Sequence, residues 1–96
     1  MTAREIEAHW LASCLAAVRS PSAMARGADE ANVFRVAAMV LASAWPVPSA
    51  RLMALSEVYF AQHPADKLPV VQVVYNGWVL SLPRLRDMLS RQLASV

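Results

Sequence analysis

Glycine and cysteine are scarce in this chain, which holds two glycines and one cysteine. Gly27 and Gly77 are too far apart to form a glycine-rich loop of the kind that cradles phosphates, which makes nucleotide binding improbable. The single cysteine, Cys14, excludes an internal disulfide and is typical of a reducing compartment. No His, Cys or carboxylate residues stand at a recognised metal-ligand spacing. We therefore expect no cofactor and no metal.

Charge is also sparse, since charged residues make up 17% of the chain against roughly 25% in an average soluble domain. Eight arginines and one lysine oppose seven carboxylates, and the net charge of +2 is spread along the chain. A nucleic-acid-binding protein usually shows a concentrated basic patch. This balance disfavours DNA or RNA as a partner, although Arg84, Arg86 and Arg91 could form a local basic cluster.

Long apolar runs are missing as well. The uncharged stretch between Arg35 and Arg51 is interrupted by two prolines and is too short to span a bilayer. The first residues are charged, and the apolar stretch that follows them has no cleavage pattern of a signal peptide. Together with the lone cysteine, these features predict a cytoplasmic protein without a membrane span.

Apolar residues, by contrast, are abundant at 57% of 96 residues, against roughly 45–50% in an average domain. A single domain of this length, residues 1–96, buries only about 60–65% of the surface that its unfolded chain exposes. The excess should therefore appear as surface patches, which usually contact another protein. Alternatively, the eighteen alanines account for much of the excess and reflect helix propensity alone.

The first half of the chain predicts three helices. Thr2 and Glu5 have the spacing of a capping box, and the apolar periodicity that follows runs to Ser20, before Pro21. Residues 20–28 lack periodicity and predict a loop. Asp29 is the expected N-cap of a second, central helix. We expect residues 45–49 to form a turn, because two prolines disfavour a helix there, and a third helix over residues 49–62.

Residues 69–83 contain Asn76-Gly77 between valine-rich runs, which is the strongest short signal for a β-hairpin. In that register Tyr75 pairs with Trp78, and one face of the hairpin is wholly apolar. A helix there would place Gly77 in its interior and carry several β-branched valines. Helical hairpins remain an alternative.

The last segment, from Pro83 to about Ser95, predicts a helix with Leu85, Leu89 and Leu93 on its apolar stripe. Asp87 precedes Arg91 by four residues, the spacing of an exposed ion pair. The predicted fold class is thus mostly α (α+β), with about four amphipathic helices and one β-hairpin near residues 70–82 before the C-terminal helix. The alternative is an all-α fold of helical hairpins.

Candidate catalytic residues are few. His9 and Cys14 fall on opposite faces of the first helix, so they cannot form a dyad within it. His63 could pair with Asp66, although a role at the end of the third helix is favoured. Trp10 and Trp45 lie on apolar helical surfaces and are expected in the core. The sequence therefore predicts no catalytic residue and no enzyme.

The leading functional hypothesis is a non-enzymatic protein–protein interaction module, such as an adaptor, a small chaperone-like binder or an assembly subunit, with self-association as a further use of the same surface. The expected partner-binding residues lie on the hairpin and on the last helix: Tyr75, Trp78, Val79, Leu85, Leu89 and Leu93. The last three qualify only if the fold leaves their stripe uncovered. The alternative is a winged-helix-like DNA-binding regulator, in which the third helix, with Arg51, enters the major groove.

Overall fold

The computed structural model of the chain describes residues 2–76 and 81–95, and the side chain of Tyr75 is not among the described parts. The described residues are helical. They form α1 (Ala3–Arg19), α2 (Ala28–Leu41), α3 (Pro46–Gln62), a short 3-10 helix (Pro64–Asp66), α4 (Val70–Tyr75) and α5 (Leu82–Ala94). None of these helices has the length and hydropathy that crossing a bilayer requires.

The predicted limits of α1 are confirmed. Thr2 is its N-cap, and its hydroxyl oxygen accepts a hydrogen bond from the Glu5 backbone N–H at 3.2 Å. This bond satisfies one of the backbone donors that have no partner within the first helical turn. The helix ends at Arg19, and Ser20 is its C-cap.

The starts of α2 and α3 differ from prediction. Gly27, not Asp29, is the N-cap of α2. The expected turn over residues 45–49 is wrong, because α3 already begins at Pro46. Pro46 and Pro48 occupy the first turn of a helix, where a backbone N–H has no intrahelical acceptor and a proline therefore costs nothing in hydrogen bonding.

The predicted β-hairpin near residues 70–82 is wrong, and the all-α alternative fits. The residues predicted as its first strand form the helix α4, and its last residue, Leu82, begins α5. The described residues contain no strand. The same valines that alternate in a strand also repeat with helical spacing, since Val70, Val73 and Val74 stand at i, i+3 and i+4. Burial of Val73 to 0% exposure shows that packing overrides local β-propensity here.

The core is centred on α2, and α3 packs closely along it. Small side chains at their interface allow this approach, and the Ser49 hydroxyl donates to the Ala38 carbonyl oxygen at 2.6 Å. Ser56 is also fully buried. The large buried side chains come from α2, α3, α4 and α5: Val33, Phe34, Val36, Leu41, Leu52, Val73, Leu85 and Leu89.

The predicted last helix is confirmed as α5. Ser81 is its N-cap and accepts from the Arg84 backbone N–H at 3.2 Å. Trp45 fixes the other side of this helix, because its Nε1 donates to the Ser90 hydroxyl at 3.2 Å. The expected pairing of Asp87 is wrong, since its carboxylate accepts from Arg86 Nε at 3.3 Å.

Candidate protein-binding groove

A groove of about 340 Å³ lies between the loop 20–27 and one side of α3. We call it the α3 groove. Its lining is mainly apolar and includes Ala23, Met24, Leu55, Val58, Tyr59 and His63.

Helical spacing explains the α3 side of the groove. Leu55, Val58, Tyr59 and Gln62 follow one another at i, i+3, i+4 and i+7, so their side chains share one side of α3. Leu55 is 7% exposed and forms the floor of the groove. Val58, by contrast, is 57% exposed and lies at the rim.

Met24 forms the opposite rim and is 70% exposed. The thioether side chain of methionine is unbranched and adapts its shape to a contacting surface. Two apolar side chains on opposite rims, with a buried leucine between them, make a site for an apolar anchor of a partner protein.

The loop beside the groove is held in place by hydrogen bonds to three helices. Arg51 of α3 donates through Nη2 to the carbonyl oxygens of Ser20, at 2.9 Å, and Pro21, at 3.1 Å. The Arg26 backbone N–H donates to Glu30 of α2 at 3.0 Å. The backbone N–H of Ser20, the C-cap of α1, donates to the Ala16 carbonyl oxygen at 3.0 Å. These bonds order the loop before any partner arrives.

One end of the groove is polar. The rings of Tyr59 and His63 stack with centroids 4.6 Å apart, and the Tyr59 hydroxyl donates to Asp66 Oδ2 at 3.4 Å. Partial desolvation of the ring, followed by the charge of Asp66, raises the pKa of Tyr59. The hypothesis that His63 pairs with Asp66 is thus replaced by a tyrosine–aspartate contact, with the imidazole against the tyrosine ring.

A second, more open cavity of about 620 Å³ lies between α1 and the start of α2 and is lined by His9, Ser13, Arg26 and Glu30. Three of its polar groups are bonded to one another, because Glu30 accepts from the Ser13 hydroxyl at 2.7 Å and from the Arg26 backbone N–H. Glu30 also stands in the first turn of α2, where a negative charge is favourable. Glu30 therefore has a structural role at the start of α2.

Cys14 lies beside this cavity in the core, with 0% exposure. Burial, with a smaller contribution from the charge of Glu30, raises the pKa of its thiol to about 12. The thiol is therefore neutral at physiological pH and a poor nucleophile. Within residues 2–76 and 81–95, no three His, Cys, Asp or Glu residues are grouped so that they could hold a metal ion.

The predicted partner-binding residues fall into two groups. Leu85 and Leu89 are 2% and 1% exposed, so the fold itself covers the stripe that was expected to bind only if uncovered. Leu93 is partly buried against the same core. Trp78, Val79 and the side chain of Tyr75 lie outside the described residues. Partner binding by these residues stays a prediction.

Trp10 and Trp45, expected in the core, are partly buried and pack against it. Among the basic residues of the DNA-binding alternative, Arg51, Arg84 and Arg86 have partners within the chain, whereas Arg91 is exposed. Arg51 binds the loop carbonyl oxygens, Arg84 pairs with Glu7, and Arg86 pairs with Asp87. In the winged-helix alternative the predicted β-hairpin around Asn76-Gly77 would be the wing, and the described residues of that hairpin contain no strand, since its first strand is α4.

The α3 groove is not predicted by the sequence, because residues 20–28 lack periodicity and indicate only a loop. The available signal was a methionine in a loop, together with a valine on the solvent side of the third helix. Comparison with known proteins finds no match among protein-family models, curated proteins or solved structures.

Proposed function

We propose that this chain is a non-enzymatic protein–protein interaction module that binds a partner protein through the α3 groove. The observation that carries the proposal is the pair of exposed apolar side chains, Met24 and Val58, on opposite rims of a groove whose floor is Leu55. Burial of two such side chains by a partner would contribute about 1.5–3 kcal/mol each.

The ordered loop supports this proposal. Binding normally costs free energy for ordering side chains and loops at the interface. Arg51 and Glu30 already hold the loop 20–27, so a partner need not supply that free energy. The lone buried Cys14 is compatible with a reducing cytoplasm, which is where the proposal places the protein.

Site-specific photo-crosslinking tests the proposal. A photoreactive phenylalanine analogue is placed at position 58, in the groove, and in a separate variant at position 47, where Val47 is 78% exposed but outside the groove. We expect a discrete protein adduct from position 58 and none from position 47. Met24→Glu should remove this adduct, because it places a charge on the opposite rim.

Equal adducts from both positions, or none from position 58, would overturn the proposal. Light scattering coupled to size exclusion identifies the partner type. An adduct of twice the chain mass, with a dimer that Met24→Glu dissolves, identifies the partner as a second copy of the chain.

A further inference from the structure

The short helix α4 lies against α2 with an apolar side that resembles a bound helical ligand. Val73 is fully buried, and Val70 and Val74 are partly buried against the same core. Val71, on the other side, is 75% exposed. The buried positions follow the i, i+3, i+4 pattern by which an amphipathic helix binds an apolar groove.

By its own sequence, α4 is a poor helix. It has six residues, four of them valine, and its N-cap, Pro69, makes no side-chain hydrogen bond to the helix. Helices this short do not persist in water, and valine loses side-chain freedom in a helix. Its helical state therefore depends on its packing against α2.

The segment just before α4 is attached to α2 by hydrogen bonds, whereas α4 itself is held by apolar packing. The buried Asn32 of α2 donates to the Asp66 carbonyl oxygen at 3.0 Å and accepts from the Leu68 backbone N–H at 3.0 Å. Arg35 also donates to the Leu68 carbonyl oxygen. These bonds end at Leu68, so α4 can leave α2 while the preceding residues stay fixed.

Val36 follows Asn32 by four residues, lies on the same side of α2 and is fully buried. Displacement of α4 would uncover an apolar strip, namely the part of α2 and the adjoining core on which Val70, Val73 and Val74 pack. We propose that the strip is a docking site for a partner's amphipathic helix, and that α4 occupies it until such a helix, with valine or leucine at i, i+3 and i+4, replaces it. No residue that lines the α3 groove belongs to α2 or α4, so the two sites are tested separately.

Native-state amide hydrogen exchange tests the displacement. We expect the amides of Val73 and Asn76 to exchange at least about ten-fold faster than those of Val36 to Leu41, because α4 opens without global unfolding. Val71→Ala should slow their exchange about two-fold, since alanine favours the helix and position 71 is exposed. Val47→Ala, the same change at an exposed position of α3, should leave their exchange unchanged. Protection of Val73 equal to that of the α2 core would overturn the proposal.

A binding experiment tests the docking site itself. The probe is a fluorescein-labelled peptide with the sequence of residues 66–76, titrated against the full chain. Val73→Ser weakens the packing of α4, so this variant should bind the peptide at least about ten-fold more tightly than the unaltered chain. Val71→Gly, which alters an exposed position, replaces it if Val73→Ser does not fold. Equal binding of the peptide and a scrambled version, or no binding to the loosened variant, would overturn the docking site.

Discussion

Arg84 of α5 donates through Nε to both carboxylate oxygens of Glu7 of α1, at 2.9 and 3.0 Å. The side chain of Glu7 is 5% exposed, whereas that of Arg84 is 46% exposed. The pair joins the first and last helices of the chain across 77 positions of sequence. A buried carboxylate needs such a partner because its desolvation is otherwise uncompensated.

We predict that Arg84→Ala lowers the free energy of unfolding by about 1–3 kcal/mol, because it leaves the Glu7 carboxylate buried without its partner. Solvent screening at the exposed arginine keeps this figure below that of a fully buried pair. Urea denaturation measures the loss. Arg86→Ala, which removes an exposed pair with Asp87, is the matched control and should change stability by less than about 0.5 kcal/mol. Equal losses in both variants would contradict this prediction.

The buried thiol of Cys14 makes stability sensitive to alkaline pH. Its pKa is about 12 in the folded chain against an ordinary value of 9.0, so above pH 9 the unfolded chain loses this proton first. The contribution of the thiol to stability is therefore complete below about pH 9 and is lost progressively as the pH rises toward 12.

Comparing the unaltered chain with Cys14→Ala isolates that contribution. We expect the free energy of unfolding of the unaltered chain to fall relative to that of Cys14→Ala between pH 8 and pH 10.5. A thiol reagent should leave the folded protein unlabelled at pH 8 and label it after denaturation. Rapid labelling of the folded chain would show that Cys14 is accessible.

Asn32 is almost fully buried. Its side-chain nitrogen and oxygen both form hydrogen bonds with the backbone of residues 66–68. Asn32→Leu leaves one carbonyl oxygen and one N–H without a partner, at an expected cost of about 2–4 kcal/mol. Thermal or urea denaturation measures this loss, with Gln92→Ala, at an exposed position of α5, as the control. A loss no larger than that of the control would mean that water replaces the amide.

Arg51 holds the loop beside the α3 groove through two carbonyl oxygens. Arg51→Met should speed amide exchange in residues 20–27 while leaving exchange in the α2 core little changed. It should also weaken partner binding at the groove, because the loop must then be ordered during association. Arg4→Met, at an exposed position of α1, serves as the control. Unchanged exchange in the loop would contradict the role of Arg51.

Much of the fold follows from local sequence signals. Thr2, Ser20 and Pro83 mark helix limits that the structure confirms or nearly confirms, because capping and proline geometry depend on immediate neighbours. The prediction of a β-strand at residues 70–75 is wrong for a different reason. Val73 satisfies a strand or a helix equally well, and its burial against α2, a contact distant in sequence, decides the outcome.

The α3 groove was less predictable than the fold. Its two sides come from a loop and a helix that are joined by Arg51, and nothing in the local sequence around Arg51 indicates that its side chain reaches Ser20. The apolar surplus led to the hypothesis of surface contacts with a partner, which stays a prediction. It could not say which side chains remain outside, because burial depends on tertiary packing.

Three alanines buried in the core affect how many apolar side chains remain on the surface for binding partner proteins. Ala31, Ala37 and Ala38 are fully enclosed, so a share of the hydrophobic composition fills the interior. The exposed large apolar side chains of the described residues are few, and only two of them, Met24 and Val58, line the α3 groove; the others are Met39, Val47 and Val71. An interface that depends on so few anchors dissociates readily. We expect its complexes to exchange partners quickly, as in transient recognition, and a single substitution at one anchor to abolish them.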